Sequence, residues 1–341
     1  MKRYLLITAI SLAFCFSGCE KSEWLNDGDY FFLKNKGAVM PIWVKGNKNS
    51  DVYILTVHGG PGATSGHEFP ISTGFKLLEQ DYNVIYWDQR MSGMSQGDPD
   101  PSTLTIDQHI EDLEKVIQLI KVKYNPGSLF LLGHSWGGVM TAGYLGKNNN
   151  QDLFNGWIDL DGSFKEEVDV LEMKKWVLDR VPIYYNQDPE FYQFIIDWYA
   201  ANPNPKNSDP YPYFYSSILG GYIYDYENSL AQSPVPYGTL VFKSPFTWAF
   251  YFSQYGGDAI KFADGYVVTE ELNNITIPTL LLWGAEDGVV TANVGQIKYD
   301  LLATPIADKH FITLESCAHS PHYDQPDKFS LTIHSFIEQY K

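Results

Sequence analysis

One short segment constrains the fold of this chain more than any other. It reads Gly-His-Ser-Trp-Gly-Gly at residues 133–138, with an apolar run (129–132) before it and a run of small residues (137–143) after it. A strand, a sharp turn and a helix in this order are typical of a nucleophile elbow, which lifts a serine hydroxyl above the edge of a sheet. Only glycine lets the chain crowd so closely there. The segment therefore predicts Ser135 as a nucleophile, and a tight turn with no chemical role is the alternative.

Runs of strand and helix character alternate on both sides of this segment. Short apolar runs typical of buried strands, such as 52–57 and 83–87, are followed by helical periodicity. This periodicity is clearest in an amphipathic helix at 106–124, and a second helix is predicted at 136–145. This alternation predicts an α/β fold with a mainly parallel central sheet and helices on both faces. Two further runs, 30–33 and 38–44, predict an antiparallel hairpin at a sheet edge.

The alternation stops after Gly162 and resumes near residue 275. Helical stretches rich in aromatic residues and proline fill the interval, which we interpret as an inserted helical lid. The pattern predicts helices at 174–179, 190–200, 216–230 and 245–262, and the prolines at 202–213 predict a turn region. The chain is thereby divided into five parts. They are a signal peptide (1–19), a polar tether (20–29), the first part of the core (30–162), the helical lid (163–274) and the second part of the core (275–341).

The first residues have the composition of an export signal. Lys2 and Arg3 precede an apolar run at 4–16, which is short for a membrane span, and Ser-Gly-Cys follows at 17–19. The small residues before the cysteine resemble a bacterial lipobox, with Phe16 in place of the usual leucine. We expect Cys19 to be lipidated, which predicts an exported protein anchored to a membrane and facing the periplasm or the cell surface. An ordinary signal peptide with an incidental cysteine is the alternative.

Composition restricts the partners of the folded part. The formal net charge of −17 argues against a nucleic-acid partner, because phosphates require a basic surface. Two of the three cysteines lie in the signal or at its end, so only Cys317 remains and no intramolecular disulfide is expected. Aromatic residues make up 16% of the chain, which is enough to line a cavity for a small substrate as well as to fill the core.

A serine nucleophile needs a base and an acid, and candidates for both follow predicted strands late in the chain. Glu286 and Asp287 follow the first strand after the lid, and the position in the loop favours Asp287 as the acid. His319 and His322 follow the last predicted strand, and His319 fits the base best. His310 begins that strand, which favours a structural role.

Two N–H groups must stabilise the oxyanion that forms when the serine attacks. One comes from the residue after the nucleophile, which is Trp136, and the other comes from a loop after an early strand. His-Gly-Gly-Pro-Gly at 58–62 lies in that place, so Gly60 is the expected donor and Gly59 a candidate for contact with the substrate. A glycine loop that is only a turn is the alternative.

Three motifs occur in order along the chain: His-Gly-Gly-Pro-Gly (58–62), Asp-Gln-Arg-x-x-Gly-x-Ser (88–95) and Gly-His-Ser-Trp-Gly-Gly (133–138), followed by Asp287 and His319. Together they resemble the motifs of the prolyl iminopeptidase family of α/β hydrolases. The resemblance covers nearly all of the chain after the signal. It implies an α/β-hydrolase fold with a helical lid, a Ser-His-Asp triad, no metal ion and no cofactor. It also implies release of an N-terminal residue, often proline, from peptides, while other relatives cleave amides, esters or lactones.

The chain departs from the family pattern at two places. Met91 replaces a glycine in the Asp-Gln-Arg motif, and Ser-Gln-Tyr at 253–255, with Asp258 nearby, stands where a second lid acid is expected. An aminopeptidase must hold the ammonium group of its substrate, so a lid carboxylate should face the pocket. Tyr226-Glu227 resembles the motif that carries one such glutamate. Glu227 is therefore the candidate, and a solvated helix residue is the alternative.

Other lid residues are weaker candidates for the pocket. Aromatic residues could wall it or could belong to the core: Trp176, Tyr184, Trp198, Tyr224 and Trp248. Acids near the start of the lid are expected to form an exposed charged face: Glu166, Glu167, Asp169 and Glu172.

We therefore predict a serine hydrolase, with an aminopeptidase acting on short peptides as the leading interpretation. An esterase or lactonase acting on a neutral acyl substrate would use the same residues. A non-catalytic binding lipoprotein would keep the scaffold without the chemistry, and the intact motifs disfavour it. An epoxide hydrolase or dehalogenase requires an aspartate at the elbow, where this chain has Ser135.

Overall fold

A nine-stranded sheet forms the centre of the described part of the molecule. The computed structural model describes residues 28–225 and 263–341. The strands are β1 (Asp29–Asn35), β2 (Ala38–Gly46), β3 (Val52–Val57), β4 (Asn83–Trp87), β5 (Gln96–Gly97), β6 (Ser128–His134), β7 (Gly156–Leu160), β8 (Thr279–Gly284) and β9 (Lys309–Leu314). They lie in the order β1-β2-β4-β3-β6-β7-β8-β9, and β5 pairs with β2.

Most neighbouring strands run parallel, which confirms the predicted architecture. β3 pairs in parallel with both β4 and β6, and the parallel series continues through β7, β8 and β9. The hairpin predicted at one edge is β1 and β2, which pair antiparallel from Asp29 opposite Val44 to Asn35 opposite Ala38. Since the carboxyl ends of parallel strands meet at one edge, the loops that follow them converge there.

Helices cover both faces of this sheet, as predicted. The α-helices of residues 28–225 and 263–341, including those of the insertion, are α1 (Ser65–Glu68), α2 (Thr73–Asp81), α3 (Ile106–Tyr124), α4 (Trp136–Leu145), α5 (Glu166–Tyr184), α6 (Pro189–Ala201), α7 (Pro210–Ile218), α8 (Thr269–Leu272), α9 (Ala292–Leu301), α10 (Pro321–Asp324) and α11 (Pro326–Tyr340). Alternate residues of β6 point to opposite faces, so Leu129 and Leu131 join one buried cluster while Phe130 and Leu132 join the other. Helices α3, α4 and α9 pack in the first cluster, and α2 and α11 pack in the second.

The chain leaves the sheet after β7 and returns before β8, and helices α5, α6 and α7 lie in this insertion. They share a small buried cluster of their own, which consists of Val177, Val181, Ile195, Tyr199, Tyr215 and Leu219. The two ends of the insertion are hydrogen bonded to each other. The Glu166 N–H donates to the Tyr266 carbonyl at 3.0 Å, and the Val268 N–H donates to the Phe164 carbonyl at 3.0 Å. These bonds form a short neck that attaches the insertion to the sheet.

Two helices of the insertion differ from their predicted bounds. Helix α5 extends well beyond the predicted stretch at 174–179 and includes Pro182 near its end. Helix α7 begins at Pro210, inside a region (202–213) that its prolines led us to predict as a turn. Proline fits the first turn of a helix because its missing N–H is one that the helix does not use there.

Three of the predicted site residues lie outside the described part of the chain. They are Cys19 in the predicted signal and Glu227 and Trp248 in the predicted lid. The boundaries predicted for the lid, 163–274, also stay a prediction. Within residues 28–225 and 263–341, none of the helices is both long and apolar enough to span a bilayer.

Candidate active site

Ser135 lies in the sharp turn between β6 and α4, at the edge where the parallel strands end. Its backbone angles, φ 56° and ψ −120°, are ones that a residue with a side chain rarely adopts. The Ser135 N–H donates to the Leu160 carbonyl at 3.0 Å. The Ser135 carbonyl accepts from the N–H groups of Gly138 at 2.8 Å and Ser163 at 3.0 Å. The unusual conformation is therefore held in place by β7 and by the start of the insertion.

Close contacts explain the glycines that follow this serine. A Cβ at Gly138 would lie 2.6 Å from the Cα of Gly162, and a Cβ at Gly137 would collide with the carbonyl of Val57 at the end of β3. Helix α4 thus begins against the backbone of its neighbours. A larger residue at either position would force the elbow to shift.

The loop after β3 covers Ser135 and contains the predicted oxyanion donor. A Cβ added to Gly59 would lie 2.8 Å from the Ser135 Cβ, so this stretch of backbone touches the serine. His58 Nε2 accepts the Gln89 N–H at 3.0 Å, which means that the proton of the neutral ring is on Nδ1. His58 Nδ1 then donates to the Gly59 carbonyl at 2.8 Å. The Gly59–Gly60 peptide is trans, so its N–H group points away from its carbonyl group. The hydrogen bond that holds the Gly59 carbonyl therefore also sets the direction of the Gly60 N–H.

The segment after β4 supports this loop from the neighbouring strand. Asp88 accepts hydrogen bonds from the Thr64 hydroxyl at 2.8 Å and from the Gly66 N–H at 3.0 Å. The Gln89 side-chain amide donates to the His58 carbonyl at 2.8 Å. Burial raises the pKa of Asp88 to about 6, and the hydrogen bonds that it accepts oppose the rise. Asp88 and Gln89 thus hold the loop that carries Gly60.

Arg90 ties the same segment to helix α3. Its Nε lies 2.5 Å from Asp112 Oδ2 and its Nη2 lies 2.8 Å from Asp112 Oδ1, and both side chains are fully buried. This two-point geometry compensates the buried charges of both residues. Met91 follows with φ 54°, a conformation that glycine adopts without a steric cost. The geometry explains why the family pattern has glycine at this position.

Trp136, the second predicted oxyanion donor, is the first residue of α4. N–H groups in the first turn of a helix are not used by the hydrogen bonds of that helix, and the N-terminal end carries a partial positive charge. The indole side chain is buried and lies edge-on to the ring of Tyr266, with 5.7 Å between the ring centroids. The Trp136 ring therefore packs against Tyr266 in the neck of the insertion, while the Trp136 N–H remains next to Ser135 in the elbow.

His319 and Asp287 meet at the same edge of the sheet. His319 Nδ1 lies 2.8 Å from Asp287 Oδ2, and both residues are buried. Asp287 Oδ1 accepts the N–H groups of Val289 at 2.7 Å and Val290 at 3.0 Å. A carboxylate held in this way fixes the imidazole with its proton on Nδ1 and leaves Nε2 to accept another.

The rival residues for these two roles lie elsewhere. Glu286 forms an ion pair with Arg180 of α5 and is partly exposed. His322 lies in a buried aromatic cluster, with its ring centroid 5.3 Å from that of Phe69. His310 lies near the start of β9, away from the edge that carries Ser135.

The imidazole of His319 is held as a neutral base next to the elbow. Burial lowers the pKa of His319, and the carboxylate of Glu68 raises it by a smaller amount. The ring is therefore uncharged at neutral pH. His134, which precedes Ser135, has its Nε2 3.0 Å from the carbonyl oxygen of His319. This contact brings the loop of the base directly against the elbow.

Glu68 and Tyr222 form a polar wall beside His319. The ring centroid of Tyr222 lies 5.8 Å from that of His319, and the Tyr222 hydroxyl donates to Glu68 Oε1 at 3.2 Å. Glu68 is only 6% exposed and ends α1, which follows the oxyanion loop. Its backbone carbonyl accepts the Tyr323 hydroxyl at 2.8 Å. The site thus contains a buried carboxylate whose charge acts on the imidazole.

Two acids that were expected on an exposed face of the insertion are buried instead. Glu166 accepts the N–H groups of Asn207 at 2.7 Å and Gly265 at 2.6 Å. Asp169 accepts the Tyr266 hydroxyl at 2.7 Å. The expectation was wrong for these two residues because the neck contains backbone N–H and hydroxyl groups that need acceptors once they are buried.

Sequence reasoning misses Asp161, which lies beside Asp287 and His319. Side-chain atoms of the three residues lie within 4.8 Å of one another, a spacing that could hold a metal ion. His319 Nδ1 carries the proton that it donates to Asp287, so this nitrogen has no free lone pair for a metal. We therefore assign no metal ion to this group. The signal that could have revealed Asp161 is its place directly after β7, since the carboxyl ends of parallel strands carry functional groups.

Comparison with known proteins gives a consistent picture. A family model described as "Alpha/beta hydrolase family" matches residues 54–330. The proline iminopeptidase of Saccharolobus solfataricus is 29% identical over 305 residues, which cover 86% of each chain. The similarity therefore extends over the sheet and the insertion alike.

Solved structures share the fold at lower identity. The proline iminopeptidase of Mycobacterium smegmatis has a TM-score of 0.64 and 16% identity, and the match covers 92% of this chain and 98% of that chain. The esterase RhEst1 from Rhodococcus sp. ECU1013 has a TM-score of 0.60 and 19% identity, with 92% and 100% covered. These two likenesses concern the fold alone.

Proposed function

Because the chain belongs to the alpha/beta hydrolase family, we propose that it is a serine aminopeptidase that releases an N-terminal residue, proline or another small or apolar one, from peptides. The observation that carries the proposal is the contact between Asp287 and His319 beside the elbow at Ser135. The similarity to a proline iminopeptidase over 86% of each chain supports the choice of substrate.

In the proposed reaction, the Ser135 oxygen attacks the carbonyl carbon of the first peptide bond. His319 Nε2 takes the serine proton, and Asp287 stabilises the imidazolium that forms. The N–H groups of Gly60 and Trp136 donate to the oxyanion of the tetrahedral intermediate. The C–N bond then breaks, and His319 gives its proton to the departing amine. Water, deprotonated by His319, then attacks the acyl carbon. The ester C–O bond breaks, His319 returns the proton to the Ser135 oxygen, and the free amino acid leaves.

An aminopeptidase must also recognise the ammonium group of its substrate. Glu68 supports this part of the proposal, since it is a buried carboxylate in contact with Tyr222 beside the base. A charge-assisted contact of this type strengthens when water is excluded from the site. Glu227, which lies outside the described residues, is a second proposed anchor.

Matched substrates test the proposal. Proline and alanine arylamides with a free amine should be hydrolysed with a kcat/KM about tenfold or more above that of their N-acetylated counterparts, the size expected of one charged hydrogen bond. Ser135→Ala should abolish both activities. Glu68→Gln and Glu227→Gln, made separately, should each reduce the preference for the free amine if that residue is an anchor. Equal rates on free and acetylated substrates would refute the aminopeptidase.

The same panel tests the alternative, an esterase or lactonase. Aryl esters and lactones of neutral acids present an acyl carbon to the same nucleophile and oxyanion donors, without need for an anchor. A higher kcat/KM on these neutral substrates than on every free-amine arylamide would favour this alternative.

We also propose that the protein is exported and anchored through a lipid on Cys19. The sequence at 16–19 supports this proposal through its resemblance to a lipobox. Mass spectrometry of the mature N-terminus should find an acylated cysteine, and Cys19→Ala should release the protein from membranes. An unmodified N-terminus at another residue would overturn the proposal.

A further inference from the structure

Asp161 is a buried residue that lies next to Asp287, the proposed acid of the triad. It follows β7 with φ 47° and is fully buried. Its N–H donates to the Leu282 carbonyl at 3.0 Å, and its Oδ1 accepts the Gly284 N–H at 2.8 Å. Both partners belong to β8, the strand that leads into the loop of Asp287. Asp161 is thus fixed by backbone contacts at the base of that loop.

The two carboxyl groups differ sharply in the donors that they receive. Asp287 accepts the N–H groups of Val289 and Val290 and the Nδ1–H of His319. Asp161 accepts only the Gly284 N–H among the described residues, and its Oδ2 is buried with no hydrogen-bond donor in that part of the chain. Hydrogen bonds to a carboxylate favour its ionised form, so the negative charge belongs on Asp287.

Two buried carboxylates this close cannot both be ionised without a large cost. Their nearest atoms lie within 4.8 Å of each other and of His319. A buried charged oxygen that lacks a donor also carries an unrelieved desolvation penalty. A single proton removes both problems, because it turns Asp161 Oδ2 from an acceptor without a donor into a donor close to the charge on Asp287.

We propose that Asp161 remains protonated at neutral pH and donates its carboxyl proton to Asp287, which makes it a positioning residue for the acid of the triad. The proposal rests on the proposed function for its catalytic consequence, although the proton itself does not depend on activity. Burial raises the pKa of Asp161 well above its ordinary value, and the charge of Asp287 raises it further. Burial also raises the pKa of Asp287, while its N–H donors and the hydrogen bond from Asp161 lower it.

The other charged groups near the pair do not replace this proton. Lys298 of α9 pairs with Asp159 of β7 and donates to the Gly162 carbonyl at 2.8 Å. The charges of Asp159 and of Asp169 in α5 act on the pair with the same sign and raise the pKa values of Asp161 and Asp287 respectively. Cys317 lies near the pair as a buried thiol, and Asp161 helps to raise its pKa. No group among these brings a positive charge that would ionise Asp161.

The positive φ of Asp161 makes asparagine the natural matched variant. Asparagine tolerates this conformation, keeps a carbonyl oxygen for the Gly284 N–H and supplies an amide N–H for Asp287. Asp161→Asn should therefore retain a kcat about tenfold or more above that of Asp161→Ala, with KM similar in both. The wild-type kcat should also fall at alkaline pH as Asp161 loses its proton, and Asp161→Asn should lack this alkaline limb because its amide does not titrate.

Infrared spectroscopy observes the proton directly and does not require activity. Burial also raises the pKa of Asp169 to about 7 and that of Asp88 to about 6, so these aspartates contribute to the same spectral region. The readout is therefore the difference spectrum at pH 7 between a protein and its Asp161→Asn variant, both labelled with ¹³C-aspartate to identify the residue type. We expect a protonated-carboxyl C=O band that is lost with Asp161, in the wild type and in Ser135→Ala alike. A difference spectrum without this band, or equal kcat values for Asp161→Asn and Asp161→Ala with equal melting temperatures, would overturn the inference. A band that is present in a protein with no Ser135-dependent hydrolysis would support the proton pair and refute the proposed function instead.

Discussion

The carboxyl edge of the sheet and the insertion between β7 and β8 use their residues in opposite ways. At the edge, polar side chains such as Asp88 and Asp287 are buried, and each is held by several hydrogen bonds. In the insertion, aromatic side chains dominate and several are half exposed, among them Phe194, Tyr213 and Phe214. A satisfied buried network holds a single geometry, whereas an aromatic surface can accommodate varied shapes. From this contrast we propose that the edge carries out bond cleavage and that the insertion contributes to substrate choice.

Substitutions of the adjacent acids Glu286 and Asp287 test this difference between the two regions most strongly. Asp287 belongs to the edge, and Glu286 pairs with Arg180 of the insertion. Asp287→Asn should lower kcat by about 10⁴-fold, because the imidazole would lose the partner that fixes its tautomer. Glu286→Gln should change kcat/KM by less than about fivefold, since it removes only a partly exposed ion pair. Steady-state kinetics on one arylamide measures both variants, and equal losses would contradict the division.

The oxyanion loop gives the next largest effect. Gln89→Met removes the side-chain donor that holds the His58 carbonyl, which should loosen the peptide that orients the Gly60 N–H. We expect kcat to fall about 10- to 100-fold with little change in KM, because the lost interaction acts in the transition state. Gln118→Met, on the exposed side of α3, is the matched control and should leave the kinetics intact. A rise in KM alone would indicate that the loop binds substrate instead.

The pH dependence separates the base from the substrate amine. Burial lowers the pKa of His319, so its neutral, proton-accepting form should persist when the pH falls through about 6.5, the ordinary histidine value. The kcat/KM on a neutral aryl ester should therefore stay level from pH 7 to well below this value. On a free-amine arylamide, by contrast, kcat/KM should fall above about pH 8, because the α-ammonium group of the substrate loses its proton. An acid limb centred near 6.5 on both substrates would show that His319 is more exposed than the structure has it.

The smallest expected effect concerns stability rather than catalysis. Met91 holds a left-handed conformation (φ 54°) in the segment that supports the oxyanion loop. Met91→Gly should relieve this strain. Because glycine gives the unfolded chain more conformational freedom, part of the gain is offset, and the free energy of unfolding should rise by about 1 kcal/mol or less. Denaturant titration measures the change. A clear loss of stability would mean that the methionine side chain contributes packing that outweighs the strain.

Much of the fold could be predicted because its signals are local. Helices α3 and α4 and strands β3 and β4 coincide with the predicted bounds, since each has clear hydrophobic periodicity or an uninterrupted apolar run. The start of helix α7, residues 210–213, was predicted as part of a turn because prolines are breakers in the interior of a helix, whereas here they lie in the first turn.

The candidate site was only partly accessible from the sequence. The elbow, the glycine loop and the loops of Asp287 and His319 carry recognisable local patterns. Asp161 does not, because its importance depends on β7 lying next to β8, strands that are separated in sequence by the whole insertion. Glu68 has the same character, since its contact with Tyr222 joins residues 154 positions apart. Roles that depend on such long-range contacts are visible only in the folded chain.

The most direct measurement is the site at which a fluorophosphonate labels the folded protein, because this reagent reacts with activated serines. We expect one adduct, which mass spectrometry maps to the peptide containing Ser135. The adduct should be absent from Ser135→Ala and from denatured protein. A folded protein that stays unlabelled, or that is labelled at another serine, would contradict the assignment of Ser135 as the nucleophile.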